Sequence, residues 1–215
     1  GPKTTLPPSG YTYSDTGIFL DDDGTWYLLT SADHNNVQIN TINPDGSVGA
    51  RVNVLAKGAY EAPGILKAGG TYFLIVSGKT GYRANPNQVF WTTELKGGTW
   101  NGPVGVAPEG EKTYGSQNTF ELKVVGSKGT VWVFMGDAWD AKGGVGSNYV
   151  WVPMRVDGGA RKVELEYKAQ WRVDVGTGEV VVPGKKRRYE AGEAEGRGRV
   201  RKVRRRGVEG RGCKC

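Results

Sequence analysis

The chain has 215 residues, with 29 Lys or Arg against 22 Asp or Glu, 35 glycines, seven tryptophans, ten tyrosines, one His and two Cys. That length holds one domain with a sizeable core, and the glycine and aromatic bias suits an all-β chain with many tight turns. The formal charge of +7 is unevenly placed: residues 184–215 carry 13 basic and four acidic residues, and residues 1–183 carry 16 and 18, a net of −2. A lone His34 leaves a His-based metal site or a Ser-His-Asp triad without support. Cys213-Lys214-Cys215 falls short of the four ligands a structural zinc needs, and no apolar run of about 18 residues could cross a membrane as a helix.

The chain opens on the loop-like GPKTTLPPSG, without an initiator Met or a signal-like stretch. Either a leader has been removed or the chain is a fragment. Three units then share one pattern: FLDDDGTWYLLTS from Phe19, ILKAGGTYFLIVS from Ile65 and VVGSKGTVWVFMG from Val124. Each reads as a strand, a polar Gly turn, a Thr and an aromatic-rich apolar strand. Their Gly-Thr pairs, at Gly24, Gly70 and Gly129, are 46 and 59 residues apart. A further strand follows each unit, at VQINTI, QVFWTTEL and YVWVPMRV, and VELEYKAQWRV over 163–173 reads as one more, outer strand. A period near 50 with about four strands per unit predicts β-propeller blades; a β-sandwich is the alternative. Three units are too few to close a ring, so the expectation is the later part of a larger propeller, three blades with one or two extra strands.

In the second unit, Gly69-Gly70 predicts a hairpin turn and Thr71–Val76 a buried strand. Pro63 predicts an extended Ala62 and a stiff mount for Glu61. Asp15, Glu61 and Gln117 each stand just ahead of a repeat. Equivalent positions of successive blades converge on a propeller's axis, and two carboxylates converging on a pocket is what sugar hydrolysis uses. Asp21, Asp22 and Asp23 suit a hairpin turn for backbone reasons and are expected to be solvated. Trp91, Trp132 and Trp151 lie in strands and are expected in the core; Trp139, in the loop GDAWDAKGG, is open to packing or to a sugar contact. The glycines of GGVGSN follow no strand-to-helix pattern and do not predict a phosphate loop.

After Pro183 the apolar period stops, which predicts a domain over 1–183 and a disordered basic tail over 184–215. An Arg-Gly segment can bind nucleic acid electrostatically, but the abrupt shift in composition favours a tail without that role.

SDTGIFLDDDGTWYLLTSADHNN, EAPGILKAGGTYFLIVSGKTGY, GSQNTF, MGDAWD and NYVWVPM, taken together and in this order, resemble glycoside hydrolase family 43, and its exo-β-1,3-galactanase branch above all. The resemblance covers residues 11 to about 175. It implies a five-bladed propeller, an inverting mechanism, no cofactor or metal, a β-1,3-galactan or arabinogalactan substrate, and a secreted monomer that engages neither membrane nor nucleic acid. It implies that Glu61 is the general acid, that Asp15 tunes it and touches sugar hydroxyls, and that Gln117 manages the attacking water. Asn36 and Thr80 are implied to hydrogen-bond the sugar, and Tyr82 stands where the branch tends to have Trp, a stacking surface. An inverting pair implies roughly 6.5–9.5 Å between the acid and the group that handles water. The alternatives are a family 43 arabinofuranosidase or β-xylosidase, and a non-catalytic sugar-binding propeller fragment. GSQNTF, with an amide in place of an acid, argues for the galactanase branch.

Overall fold

The computed structural model describes residues 11–56, 58–81, 83–140 and 142–183. The tail expected over 184–215, its two cysteines and Tyr82 lie outside the described residues.

The first sheet holds four antiparallel strands in chain order, β1 (Tyr13–Leu20), β2 (Trp26–Ala32), β3 (Asn36–Ile42) and β4 (Val48–Leu55). The second repeats this with β5 (Tyr60–Ala68), β6 (Thr71–Gly78), β7 (Asn87–Thr92) and β8 (Asn101–Gly105). The third has β9 (Gln117–Gly126), β10 (Gly129–Ala138), β11 (Asn148–Asp157) and β12 (Lys162–Leu165). A two-stranded ribbon, β13 (Arg172–Asp174) with β14 (Glu179–Val181), completes the described part. The fold is all-β, a partial β-propeller of three blades. The stretch expected to form one outer strand over 163–173 is divided: it pairs with β11 only as far as Leu165 and resumes in the ribbon at Arg172.

Each blade meanders because its turns are tight. Gly69 and Gly70 both have positive φ, 54° and 77°, as a two-residue turn matched to strand twist requires. The middle blade has apolar residues on both faces. Tyr72, Leu74 and Val76 pack toward the first blade with Phe19, Leu29 and Ile39. Phe73 and Ile75, alternating with them, pack toward the third blade with Trp132, Phe134 and Val152. This two-sided burial explains why β6 reads as a continuous apolar run rather than an alternating one.

The outer blades bury one face and expose the other. Ile18, Leu20 and Trp26 on the first blade, and Phe120, Leu122 and Trp151 on the third, are solvent-exposed. Trp151, expected in the core, is 48% exposed, because its face turns away from the middle blade. Trp132 is buried and Trp91 packs partly against the second core.

The acidic turn also differs from expectation. Asp21 is buried rather than solvated. Its carboxylate accepts from Lys67 Nζ at 2.6 Å and from the Tyr72 hydroxyl at 2.7 Å, tying the first blade to the second. Burial opposes its charge, yet these hydrogen bonds prevail and hold its pKa below the usual carboxylate value.

Candidate active site

β1, β5 and β9 are the first strand of each sheet; β1 packs against β5, and β5 against β9. Each breaks its ladder near the same end. β1 shifts register between Tyr13 and Thr16, β5 between Glu61 and Gly64, and β9 where Met135 and Gly136 of β10 pair with Phe120 and Asn118. Bulges bend a strand and re-aim its side chains. Asp15, Glu61 and Gln117 lie in or beside these three bulges, within their strands rather than ahead of them.

The mount of Glu61 is not the extended step expected from Pro63. Ala62 has φ of +53°, in the left-handed region. Ala62 and Pro63 together face a single position of β6, and Pro63 is tolerated because β5 is the edge strand of its sheet. A left-handed Ala costs about 1–2 kcal/mol and persists only where its surroundings impose it. Here both sides of the peptide are held. The Ala62 N–H donates to Asp15 Oδ2 at 3.0 Å, and Asn118 Nδ2 donates to the Ala62 carbonyl at 3.3 Å. Two residues before Ala62, the buried Ser31 hydroxyl donates to the Tyr60 carbonyl at 2.7 Å. The first and third blades thus grip the strand that carries Glu61. Gly17 makes the approach possible: a Cβ there would sit 2.3 Å from the Pro63 carbonyl oxygen.

Behind this mount lies a carboxylate that sequence reasoning missed. Glu121, 6% exposed, accepts from Asn118 Nδ2 at 2.8 Å, and its oxygens fill the space a Gly64 side chain would take. Burial pushes its pKa up to about 7, although the Asn118 hydrogen bond opposes the rise. An acid inside GSQNTFE, at the inward phase of β9, was the available signal.

The three bulges open on one cavity of about 880 Å³. Asp15, Glu61, Gln117 and Trp139 all line it. Gln117 Nε2 donates to Glu61 Oε1 at 2.7 Å. The spacing expected for an inverting pair is therefore not what the structure shows: acid and amide touch. Two half-buried polar groups at this distance satisfy each other. Glu61 is half-buried, and burial, helped by the Asp15 charge, holds its pKa above the ordinary value against the opposing Gln117 hydrogen bond and the charge of Lys79.

Asn36 and Thr80 do not line this cavity. Asn36 opens β3, half-buried, and the Thr80 hydroxyl is engaged with the Asn85 side chain at 2.9–3.1 Å. His34, Lys79 and Asp140 line it instead, and sequence reasoning assigned none of them a place there. Lys79 directly precedes Thr80, and its Nζ donates to Ser31 Oγ at 2.8 Å, Ser14 Oγ at 3.2 Å and His34 Nδ1 at 3.1 Å. An ammonium can only donate, so His34 Nδ1 accepts here. Among the described residues, no carboxylate lies within 4 Å of Lys79. No group of His, Cys, Asp and Glu among them is arranged to hold a metal ion.

A cavity of this size with one acid of raised pKa, a partnered amide, an aromatic ring and polar donors such as Ser14 and Lys79 has the make-up of a polyol-binding hydrolytic site. No family profile matches the chain, and no curated protein does. Solved structures do. The exo-β-1,3-galactanase of Phanerochaete chrysosporium, crystallised with galactose, is 35% identical with a TM-score of 0.75, over 84% of this chain and 42% of that one. The exo-β-1,3-galactanase of Clostridium thermocellum is 32% identical, TM-score 0.74, over 80% and 38%. A family 43 β-1,3-galactosidase crystallised with galactodeoxynojirimycin is 30% identical, TM-score 0.66, over 75% and 47%. The chain is similar to these glycoside hydrolases across most of its own length, and spans about two fifths of theirs.

Proposed function

We propose that the chain is the acid-bearing part of a family 43 glycoside hydrolase that releases galactose from β-1,3-linked galactan with inversion. Glu61 protonates the leaving oxygen, Asp15 helps keep Glu61 protonated, and Gln117 orients the attacking water. The observation that carries the reading is the convergence of these three side chains, from three blades, on one cavity. The raised pKa of Glu61 supports the acid role, since a general acid must hold its proton near the working pH. With a sugar seated there, the protonated Glu61 donates to its glycosidic oxygen in place of accepting from Gln117, and the amide is freed for water. The solved neighbours support the substrate class, one crystallised with galactose and another form with β-1,3-galactotriose. Trp139 offers an aromatic face to the sugar, and extracellular action as a monomer belongs to the same proposal.

The test is galactose release from β-1,3-galactan, with the product anomer read by NMR. It is run on this chain and on a longer one carrying the remaining length of the similar enzymes. We expect the longer chain to release the sugar as the α-anomer first, and Glu61→Gln to lower the rate roughly 10²–10⁴-fold. A Glu61→Gln enzyme within threefold of the parent refutes the assignment.

A further inference from the structure

One fully buried polar residue is not used by this reading. Asn87, at the start of β7, is 0% exposed, and three of its four hydrogen-bonding groups act on the stretch that carries Gln117, while its carbonyl accepts from the Val106 N–H. Its backbone N–H donates to Thr113 Oγ1 at 2.7 Å. Its Nδ2 donates to the Ser116 carbonyl at 2.8 Å, and its Oδ1 accepts from the Asn118 N–H at 3.0 Å. The amide therefore pairs with the main chain on both sides of Gln117. β9 is the edge strand of its sheet, and this side chain stands in for the neighbouring strand that an edge lacks.

The stretch needs that hold. Lys112, Thr113 and Tyr114 have φ of 44°, 53° and 58°, three consecutive residues in the left-handed region, and for a β-branched Thr this is an outlier. Such backbone persists where surrounding contacts over-determine it. Thr113 is buried and receives Asn87 directly, so one residue of the second blade holds both the strained turn and the strand start that follows it.

We propose that Asn87 is a positioning residue for Gln117, fixing the backbone on either side of it so that its amide meets the Glu61 carboxylate. The catalytic meaning rests on the proposed glycosidase reading; the positioning does not. Asp in its place keeps the acceptor for Asn118 but faces the Ser116 carbonyl with a second acceptor, and Ala offers neither contact.

The test follows the Glu61 carboxyl by carbon-13 NMR in this chain, assigned by its loss in Glu61→Gln. The Gln117 hydrogen bond holds the Glu61 midpoint below where burial alone would put it. Gln117→Ala is therefore expected to shift that midpoint upward. Asn87→Ala and Asn87→Asp are expected to shift it in the same direction, and either change added to Gln117→Ala should move it no further. A wild-type midpoint in the Asn87 variants, or a fully additive shift, overturns the proposal. Should both variants fail to fold, the unaltered chain decides: a scalar coupling across the hydrogen bond from Asn118 N to Asn87 Cγ is expected, and its absence overturns the proposal. On β-1,3-galactan the Asn87 variants should lose about 10²-fold in kcat with KM little changed. A linked midpoint shift here, with no galactose released by the longer chain, removes the glycosidase reading and leaves the positioning intact.

Discussion

Glu121→Gln should stabilise the protein by an amount that grows as pH rises from about 4.5 and levels off near 7. The buried carboxyl has a folded pKa of about 7 against an ordinary 4.5, with burial as the cause. A carboxyl whose folded value is raised binds its proton more tightly in the folded state. Its contribution is therefore full below about 4.5, declines as pH rises toward 7, and is absent above. At about 1.4 kcal/mol per pH unit, the loss amounts to roughly 3 kcal/mol. Gln removes the titration but keeps an oxygen for Asn118 Nδ2, whose contact with Glu121 is 2.8 Å. For a domain of this size roughly 3 kcal/mol corresponds to roughly 6–12 °C in Tm. Thermal unfolding of parent and variant would be followed from pH 4.5 to 8.5. The two curves should nearly coincide at the acid end and separate to that extent at the alkaline end, the variant higher. A constant difference across the range would mean that Glu121 does not titrate on unfolding, and the account of the mount behind Ala62 would need another basis.

Two further outcomes follow from the site. Asp15→Asn keeps an acceptor for the Ala62 N–H but removes the charge that raises Glu61, so the Glu61 midpoint should fall and the alkaline limb of a pH–rate profile should move to lower pH; an upward move contradicts the electrostatic role. Gly17→Ala places a Cβ 2.3 Å from the Pro63 carbonyl oxygen, backbone that cannot rotate away, and should destabilise by about 1–3 kcal/mol in denaturant unfolding. A change below about 0.5 kcal/mol would show that β1 and β5 can part without cost.

Much of the fold was legible because the repeat is local. The Gly-Thr turns, the aromatic strand after each and the strand beyond it lie close together in sequence, and two-state periodicity reports them. Trp151 and Asp21 were misplaced for a single reason. Burial depends on which blade a face meets, and that is a long-range property: β11 has no blade against its outer face among the described residues, while Asp21 is covered by Lys67 and Tyr72, some fifty residues on. Asp15, Glu61 and Gln117 were legible from their repeated position. Lys79, His34 and Glu121 were not, because an exposed-looking Lys, a turn His and a strand Glu carry no local sign of what they face. The left-handed Ala62 was read as extended from Pro63, since proline's influence on its predecessor is local, whereas Asp15 and Asn118 act on that peptide from two other blades.

The bulges explain how a repeated unit yields a site that is not repeated. Three regular strands with the same register would present three equivalent side chains to the axis, at equal height and similar exposure. A shift of one residue turns a strand's side chains to its other face. β1, β5 and β9 each contain such a shift beside the cavity, but the shifts differ in place. Asp15 remains exposed and engages a neighbouring peptide, Glu61 becomes half-buried, and Gln117 reaches across to it. The polar groups released from the ladders do not go unpaired. Asn118 takes the Ala62 carbonyl, Asn87 takes the main chain around Gln117, and Asp15 takes the Ala62 N–H. Each of these partners comes from a blade other than the one whose backbone it satisfies. Any change that lets the blades slide should therefore disturb the geometry of Glu61 and Gln117 before it exposes the cores on either side of the middle blade.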